Sequence, residues 1–285
     1  MPTPAPTQGH FRPVHAAHSI EQVVFSVHFD RQLPPEYFAA LVSAAEQFRG
    51  EMPGGGPISG VSFAIGGAGM PSPFFQQPMP ISGVMLTRSA PDGSIESELR
   101  VEQTSLSFRT TRYSRWATIW NTAQRYFSAL LGTYIDAGAQ LTSVSQNFVD
   151  KYVWHGEANA CDAEKLLRRD SIYIAAQVFN QRDLWHSHTG AFERVNAHTK
   201  RLMNINVDCL DEVVNVESRR VIVITTVLTD LFGQPGYDPI VVSSNDALAF
   251  ITSQMLALHT ENKRILAATI TDAMANQIAL NAPQS

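Results

Sequence analysis

The chain has 285 residues, of which 44% are hydrophobic and 16% charged, with a formal net charge of -5. This composition excludes a disordered chain, a collagen-like fibre and a charged coiled-coil rod. No run approaches the ~20 apolar residues that span a bilayer, and the N-terminal MPTPAPTQGHFRPVH lacks the apolar centre of a secretory signal. Two cysteines are too few for a disulfide framework. We therefore expect a cytoplasmic protein that does not act at a membrane.

The N-terminal part predicts alternating strands and helices. Residues 1–13 are rich in proline, and we expect a flexible arm. Residues 14–156 then predict the order strand, helix, strand, strand, helix, strand, which is typical of a ferredoxin-like unit. The predicted elements are a strand at Ile20–Phe29, a helix after Pro34, a hairpin around 90–93, a strand through Leu106 and Phe108, a helix that Ser114 caps and Gly138 ends, and a bulged or twisted strand at 141–154.

Glycine and proline dominate residues 51–83. They are too frequent for a long helix or strand, so the pattern predicts a long loop. A loop of this length inside a compact domain is either functional or disordered. Its sequence contains neither a P-loop nor the dinucleotide-binding glycine spacing.

The C-terminal part, residues 157–285, predicts a second strand-rich half. Strands are expected at Ser171–Phe179, Lys200–Cys209 and Arg219–Phe232. Ser243 and Asp246 have the spacing of a capping box at the start of a long helix of about 244–280. The predicted fold class is α+β, with two ferredoxin-like or related halves, antiparallel sheets and a long C-terminal helix.

Arginine and aromatic residues alternate in the acid-free segment 103–135. This composition is typical of surfaces that bind phosphates and stack bases. The candidate nucleic-acid-binding residues are Arg109, Arg112, Tyr113, Arg115 and Arg125. The alternative is that Trp116, Trp120 and Phe127 form the buried face of a helix, with the arginines paired to glutamates of the preceding hairpin.

Histidine supplies the candidate metal ligands. His186 and His188 would lie on one face of a strand, as in some metal sites, and Asp208 would complete a hydrolytic centre. The alternative is a polar loop between strands. The sequence contains no Gly-x-Ser-x-Gly nucleophile elbow and no paired CxxC motif, and nothing indicates a cofactor.

The predicted C-terminal helix carries an apolar seam at heptad-like spacing with one polar residue. The seam consists of Leu248, Ile251, Met255, Leu258, Asn262 and Ile265. It can dock on the protein's own sheet, or it can pair with a second copy across a two-fold axis.

Four short stretches are similar to a sporadically distributed bacterial family of uncharacterised proteins of about this length. They are SIEQVVFSVHF, SVSQNFVDKYV, LMNINVD and LHTENKRILAATITD. The resemblance carries over no catalytic residue. It implies an accessory role in antiviral defence or in a mobile element.

Together, these patterns predict a non-enzymatic binding or assembly subunit that self-associates or joins another protein subunit. An RNA- or DNA-binding protein that uses segment 103–135 is the alternative, and a metal-dependent hydrolase is the third possibility.

Overall fold

A computed structural model describes residues 9–59, 81–214 and 216–280. It shows a mixed α and β fold with one large antiparallel sheet and a long helix near the C-terminus. The strands are β1 (His10–Pro13), β2 (Ile20–Phe29), β3 (Gly54–Ser59), β4 (Ile81–Ser89), β5 (Ile95–Glu102), β6 (Ser105–Thr110), β7 (Leu141–His155), β8 (Trp185–Arg194), β9 (Lys200–Val214) and β10 (Glu217–Leu231). The helices are α1 (Pro35–Glu46), α2 (Trp116–Asp136), α3 (Ser244–Thr269) and α4 (Asp272–Gln277).

The sheet runs without interruption through both halves of the chain. Its strand order is β3-β4-β5-β6-β2-β7-β10-β9-β8, and β1 pairs with β7 beyond the start of β2. The long strands β7 and β10 pair along Ser143–Val153 without a register shift and form the centre. On the other side of β7, two register shifts interrupt the pairing with β2, in agreement with the predicted irregularity of that strand.

All described helices pack on one face of the sheet, which we call the helical face. Phe25 of β2 contacts Trp116 and Trp120 of α2 at ring distances of 5.4 Å. Gln146 of β7 donates to the backbone oxygen of Met255 in α3. The alternation in β2, which places Val23, Phe25, Val27 and Phe29 inward, therefore generates the core as predicted.

Two predictions about segments of the N-terminal part are wrong. His10–Pro13 is strand β1 rather than part of an arm, because it pairs with β7 and buries Phe11 against Trp154; residues 1–8 lie outside the described residues. Gly54–Ser59 is strand β3 rather than loop, and β4 begins at Ile81, so the glycine-rich segment contributes a hairpin. Residues 60–80 of the predicted loop lie outside the described residues.

The strand predicted at Ser171–Phe179 is also wrong. This segment forms turns and a short 3₁₀ helix at Ala176–Asn180, and it buries Tyr173 and Ile174 side by side instead of alternately. The strand lies further along, at β8. Its inward positions include Ser187, Thr189 and Ala191, so apolar alternation could not reveal it.

The long C-terminal helix ends earlier than predicted. Ser243 caps α3 as expected, since its side chain accepts a hydrogen bond from the Asp246 backbone. The helix stops at Thr269, because Ile270 leaves it to form a bridge with Leu167 and Thr271 caps the separate helix α4. Among the described residues, no helix has both the length and the apolar content to cross a membrane.

Candidate functional site

The apolar seam of α3 is its docking face on the protein's own sheet. Ile251, Met255, Leu258 and Ile265 are at most 1% exposed, Asn262 is 5% exposed, and Leu248 packs partly buried against the same core. The prediction that these residues form an oligomer interface is wrong, because they are buried within one chain. The structure shows the other interpretation, in which the seam packs against the sheet of the same chain.

The aromatic residues of segment 103–135 are buried. Trp116, Trp120 and Phe127 lie between α2 and the sheet, so they are not accessible for base stacking. Tyr113 is largely buried beside His18, with which its ring makes an edge contact at 5.3 Å. Burial, with Asp150 nearby, raises the pKa of the Tyr113 hydroxyl above its ordinary range.

The arginines of the same segment are dispersed, and acidic or amide groups hold three of them. Arg109 donates to Gln22 at 2.7 Å, and Arg112 pairs with Glu96 at 3.5 Å. Arg125 forms a bidentate salt bridge with Glu51, in which both N–O distances are 2.6 Å. Arg115 is the exposed residue before α2. The arginines thus occupy a strand, a turn and a helix, and nucleic-acid binding through them stays a prediction.

Arg125 also lines a groove of about 250 Å³. Its guanidinium lies 4.7 Å from the ring centre of Tyr126, whose hydroxyl donates to the same Glu51 carboxylate. These contacts hold the pKa of Glu51 below its ordinary value, chiefly through the hydrogen bonds from Arg125. The groove therefore contains a neutralised ion pair instead of a free cation.

His186 and His188 lie on one face of strand β8 rather than in a polar loop, and both are exposed on the face opposite the helices. The register places His186 opposite Asp208 of β9 and His188 opposite Asn206. Within residues 9–59, 81–214 and 216–280, no three His, Cys, Asp or Glu side chains come together as a metal site would require. The two imidazoles and Asp208 do not, in this part of the chain, form the predicted hydrolytic centre.

A buried polar cluster, which the sequence did not reveal, lies between β7 and the start of β2. Asp150 is 1% exposed and accepts a 2.6 Å hydrogen bond from Ser19. Burial raises the pKa of Asp150 to about 6, which the bond from Ser19 partly opposes. Asp150 also lies close enough to the buried hydroxyl of Tyr152 to help raise the pKa of that group. The hydrogen bond from Ser19 to Asp150 therefore ties the residue before β2 to β7.

The face opposite the helices, which we call the open face, is covered by no helix or strand among the described residues. Its central strands present small hydroxyl and amide side chains and valines, all partly exposed. They include Val24, Ser26, Ser107, Ser145, Asn147, Val149, Thr225, Val227, Asn204 and Asn206. In β2, β6, β7, β9 and β10 this face carries no Phe, Tyr or Trp. It therefore lacks the aromatic platform of sheets that stack bases.

The two edges of the sheet differ in how they are protected. The outer strand β3 contains Pro57, glycines and a register shift at Ile58, which are features that block pairing with another strand. The outer strand β8 contains one glycine, Gly190, but no proline and no register shift, and it pairs with β9 over ten residues in continuous register. No described residue makes a backbone hydrogen bond to its outer edge.

The side chains of β8 leave that edge accessible. His186 to Phe192 contains no Lys, Arg, Asp or Glu, and Phe192 is 60% exposed. On the helical side, Ser187 and Thr189 are held by hydrogen bonds to the backbone of Ala175 and Tyr173. The candidate functional site is thus a long edge strand that carries no Lys, Arg, Asp or Glu from His186 to Phe192 and is held from the helical side. Comparison of the chain with models of known protein families and with curated proteins gives no match.

Proposed function

We propose that this protein is a non-enzymatic assembly subunit whose β8 edge pairs with β8 of a second copy. The observation that carries the proposal is the contrast between the two edges. A strand with a free row of backbone donors and acceptors is a template for another strand, and proteins normally block it with charge, proline or a bulge. Edge β3 has a proline and a register shift, whereas β8 has neither and carries charge only at its end, in Glu193 and Arg194.

The geometry of β8 suits antiparallel pairing across a two-fold axis. An axis through the middle of the strand, near Thr189 and Gly190, makes the contact self-complementary, as a closed dimer requires. It brings Phe192 of each copy beside the imidazoles of His186 and His188 of the other. Phe192 would lose its exposed apolar area, and no like charges would meet at the centre of the pairing.

The mass of the full chain in solution tests this proposal. We expect light scattering in the micromolar range to give two chains for the wild type and one chain for Ala191→Lys, because a lysine in the middle of an edge strand opposes pairing. Ala191 is exposed, so the change removes no core contact. Ala40→Lys, an equal change at an exposed position of α1, should remain a dimer. A wild-type mass of one chain throughout, or a dimer of Ala191→Lys, would overturn the proposal.

The ferredoxin-like origin of the N-terminal half is part of the proposal. The order β7-β2-β6-β5, with α1 after β2 and α2 after β6, supports it, with β3 and β4 as an added hairpin. The C-terminal half has three successive strands, β8, β9 and β10, before α3. This order supports a unit that is related to the N-terminal half but has fewer elements. A cytoplasmic location and an accessory role in antiviral defence also stay proposals, and the latter rests on sequence resemblance alone.

A further inference from the structure

A second arginine, Arg88, lines the groove beside Arg125 and also a wider hollow of about 720 Å³ that adjoins it. The hollow lies where Gly54, at the start of β3, pairs with Thr87 near the end of β4. The groove is more enclosed, and strands β4, β5 and β6, helix α2 and the turn after α1 contribute to its walls. Small molecules typically bind in clefts of this kind, where several elements converge around a few polar groups.

The apolar lining of the groove consists of side chains that hold one another in place. Met52, Phe108 and Tyr126 are at most 3% exposed. The ring centres of Phe108 and Tyr126 lie 5.2 Å apart, and the hydroxyl of Tyr126 donates to Glu51 at 3.1 Å. This part of the groove is therefore preformed, so that binding would not require these side chains to become ordered.

Arg88 has only a weak partner within the chain. Its Nε lies 3.4 Å from the Glu96 carboxylate, and Arg112 lies 3.5 Å from the same carboxylate oxygen. Strong charge-assisted hydrogen bonds of this type measure about 2.7–2.9 Å. Among the described residues, none accepts a hydrogen bond from the two Nη groups of Arg88. One distant carboxylate thus compensates two guanidinium groups, and most donors of Arg88 are unused.

The other polar groups of the groove are engaged. Both Nη groups of Arg125 donate to Glu51, and the hydroxyl of Thr122 donates to the backbone oxygen of Thr118. The charged side chains that line the groove are two arginines and one glutamate, in a chain whose net charge is -5. Arg88 therefore supplies most of the free donors, and the local charge favours one additional negative charge.

We infer that the groove binds a small organic carboxylate, whose two oxygens accept hydrogen bonds from the Nη groups of Arg88. The planar guanidinium matches a carboxylate in geometry. A single negative charge neutralises the groove, whereas a phosphate dianion would place a second charge close to Glu51. The organic part of the ligand would lie beside Phe108 and Met52. The inference does not depend on the proposed assembly, because β4 and β8 lie towards opposite edges of the sheet.

Saturation-transfer NMR with the full chain, in a buffer free of carboxylate and phosphate, tests this inference. The probes are acetate, butyrate and benzoate, with benzamide as the uncharged counterpart of benzoate and inorganic phosphate as the competing anion. We expect benzoate to bind with a Kd of about 10 mM or tighter. Benzamide should bind at least about ten-fold more weakly, because it offers no negative charge to Arg88. Phosphate at equal concentration should not displace benzoate.

Two matched pairs of variants locate the site. Arg88→Gln should weaken benzoate binding at least about ten-fold, because the charge-assisted hydrogen bonds are lost. Arg100→Gln is the control and should bind as the wild type does, since Arg100 is also exposed and lies 3.4 Å from Glu98, but outside the groove. Glu96→Gln removes the carboxylate that competes for Arg88 and should tighten binding, whereas Glu98→Gln should not.

Thermal unfolding of Arg88→Gln should match that of the wild type, because the Arg88 side chain is 53% exposed. If this variant does not fold, the comparison of Glu96→Gln with Glu98→Gln decides. Absence of binding by all three carboxylates would overturn the inference, as would equal benzoate binding by the wild type and Arg88→Gln. Equal binding of benzamide and benzoate would show that the carboxylate is not recognised. Tighter binding of phosphate than of every carboxylate would assign the groove to phosphate groups instead.

Discussion

Arg201 of β9 and Asp230 of β10 lie directly opposite each other and form a buried, bidentate ion pair. The Nε–Oδ1 distance is 2.7 Å and the Nη2–Oδ2 distance is 2.9 Å, and the side chains are 10% and 0% exposed. The guanidinium of Arg201 and the carboxylate of Asp230 are thus joined by two charge-assisted hydrogen bonds. The pair fixes the register of the two strands at the end of the sheet near α3.

Asp230→Ala should destabilise the protein by about 3–5 kcal/mol, because it leaves the Arg201 guanidinium buried without its partner. The double variant Arg201→Met with Asp230→Leu should lose much less, since it removes both charges. Urea unfolding measures the free energy. As a control, Glu46→Ala breaks the exposed pair with Arg49 and should change the free energy of unfolding much less than Asp230→Ala. A loss below about 1 kcal/mol for Asp230→Ala would contradict this account.

The elements that the sequence predicts are those whose apolar residues recur at the spacing of a strand or of a helix. In strand β2, more exposed and buried side chains alternate, as the period-two pattern predicts. In helix α2, the buried residues Trp116, Trp120 and Phe127 follow the helical spacing of three and four residues. The capping signal at Ser243 and the terminating Gly138, whose φ is +78°, also act locally. Local signals therefore predict these elements closely, although α2 begins after Arg115 and not after the expected cap Ser114.

The elements that were missed depend on distant partners. Strands β1 and β8 contain few alternating apolar residues, and each exists because a long neighbour, β7 or β9, offers its backbone. The same holds for the candidate site. Histidines at His186 and His188 indicated a strand face, but no sequence pattern tells that the strand lies at an unprotected edge.

Asp150→Asn should stabilise the protein at neutral and alkaline pH. The pKa of Asp150 is about 6 in the folded protein and 3.8 when unfolded, so the folded state binds the proton more tightly. The free energy of unfolding therefore falls as pH rises from about 4 to about 6, and stays lower above that. Asparagine carries no charge and can still accept the bond from Ser19.

The expected gain from Asp150→Asn is about 2–3 kcal/mol at pH 8, and it should vanish below pH 4. Urea unfolding at both values measures it. Asp183→Asn, at a highly exposed carboxylate, is the control and should change little at either pH. If Asp150→Asn lowers the free energy of unfolding at pH 8, the folded protein instead stabilises the ionised carboxylate of Asp150, and the account is wrong.

His259 should produce the opposite pH dependence. Its ring stacks on Trp116 at 4.1 Å, and burial, aided by Lys263, lowers its pKa from 6.5 to about 4. The unfolded chain then binds the proton more tightly, so the free energy of unfolding falls as pH drops from 6.5 to 4. His259→Phe keeps an aromatic ring on Trp116 and should remove this fall, which we expect to be about 2–3 kcal/mol.

The Asp150 and His259 effects overlap between pH 4 and pH 6, so His259→Phe is best measured in the Asp150→Asn background. There the parent should lose stability on acidification and the double variant should not. An equal loss in both proteins would show that another group titrates in this range.

Segment 103–135 should not bind nucleic acid in the wild-type protein, because Glu51 neutralises Arg125 and Glu96 pairs with Arg112. We expect no shift of a labelled oligonucleotide at moderate salt. Glu51→Gln leaves Arg125 unpaired, so heparin should retain this variant to a higher salt concentration than the wild type. Glu46→Gln frees Arg49 outside the segment and is the matched control. A wild-type shift that disappears when Arg109, Arg112 and Arg115 are all replaced by Gln would establish the nucleic-acid interface instead, since phosphate binding by these arginines would then outweigh their contacts within the chain.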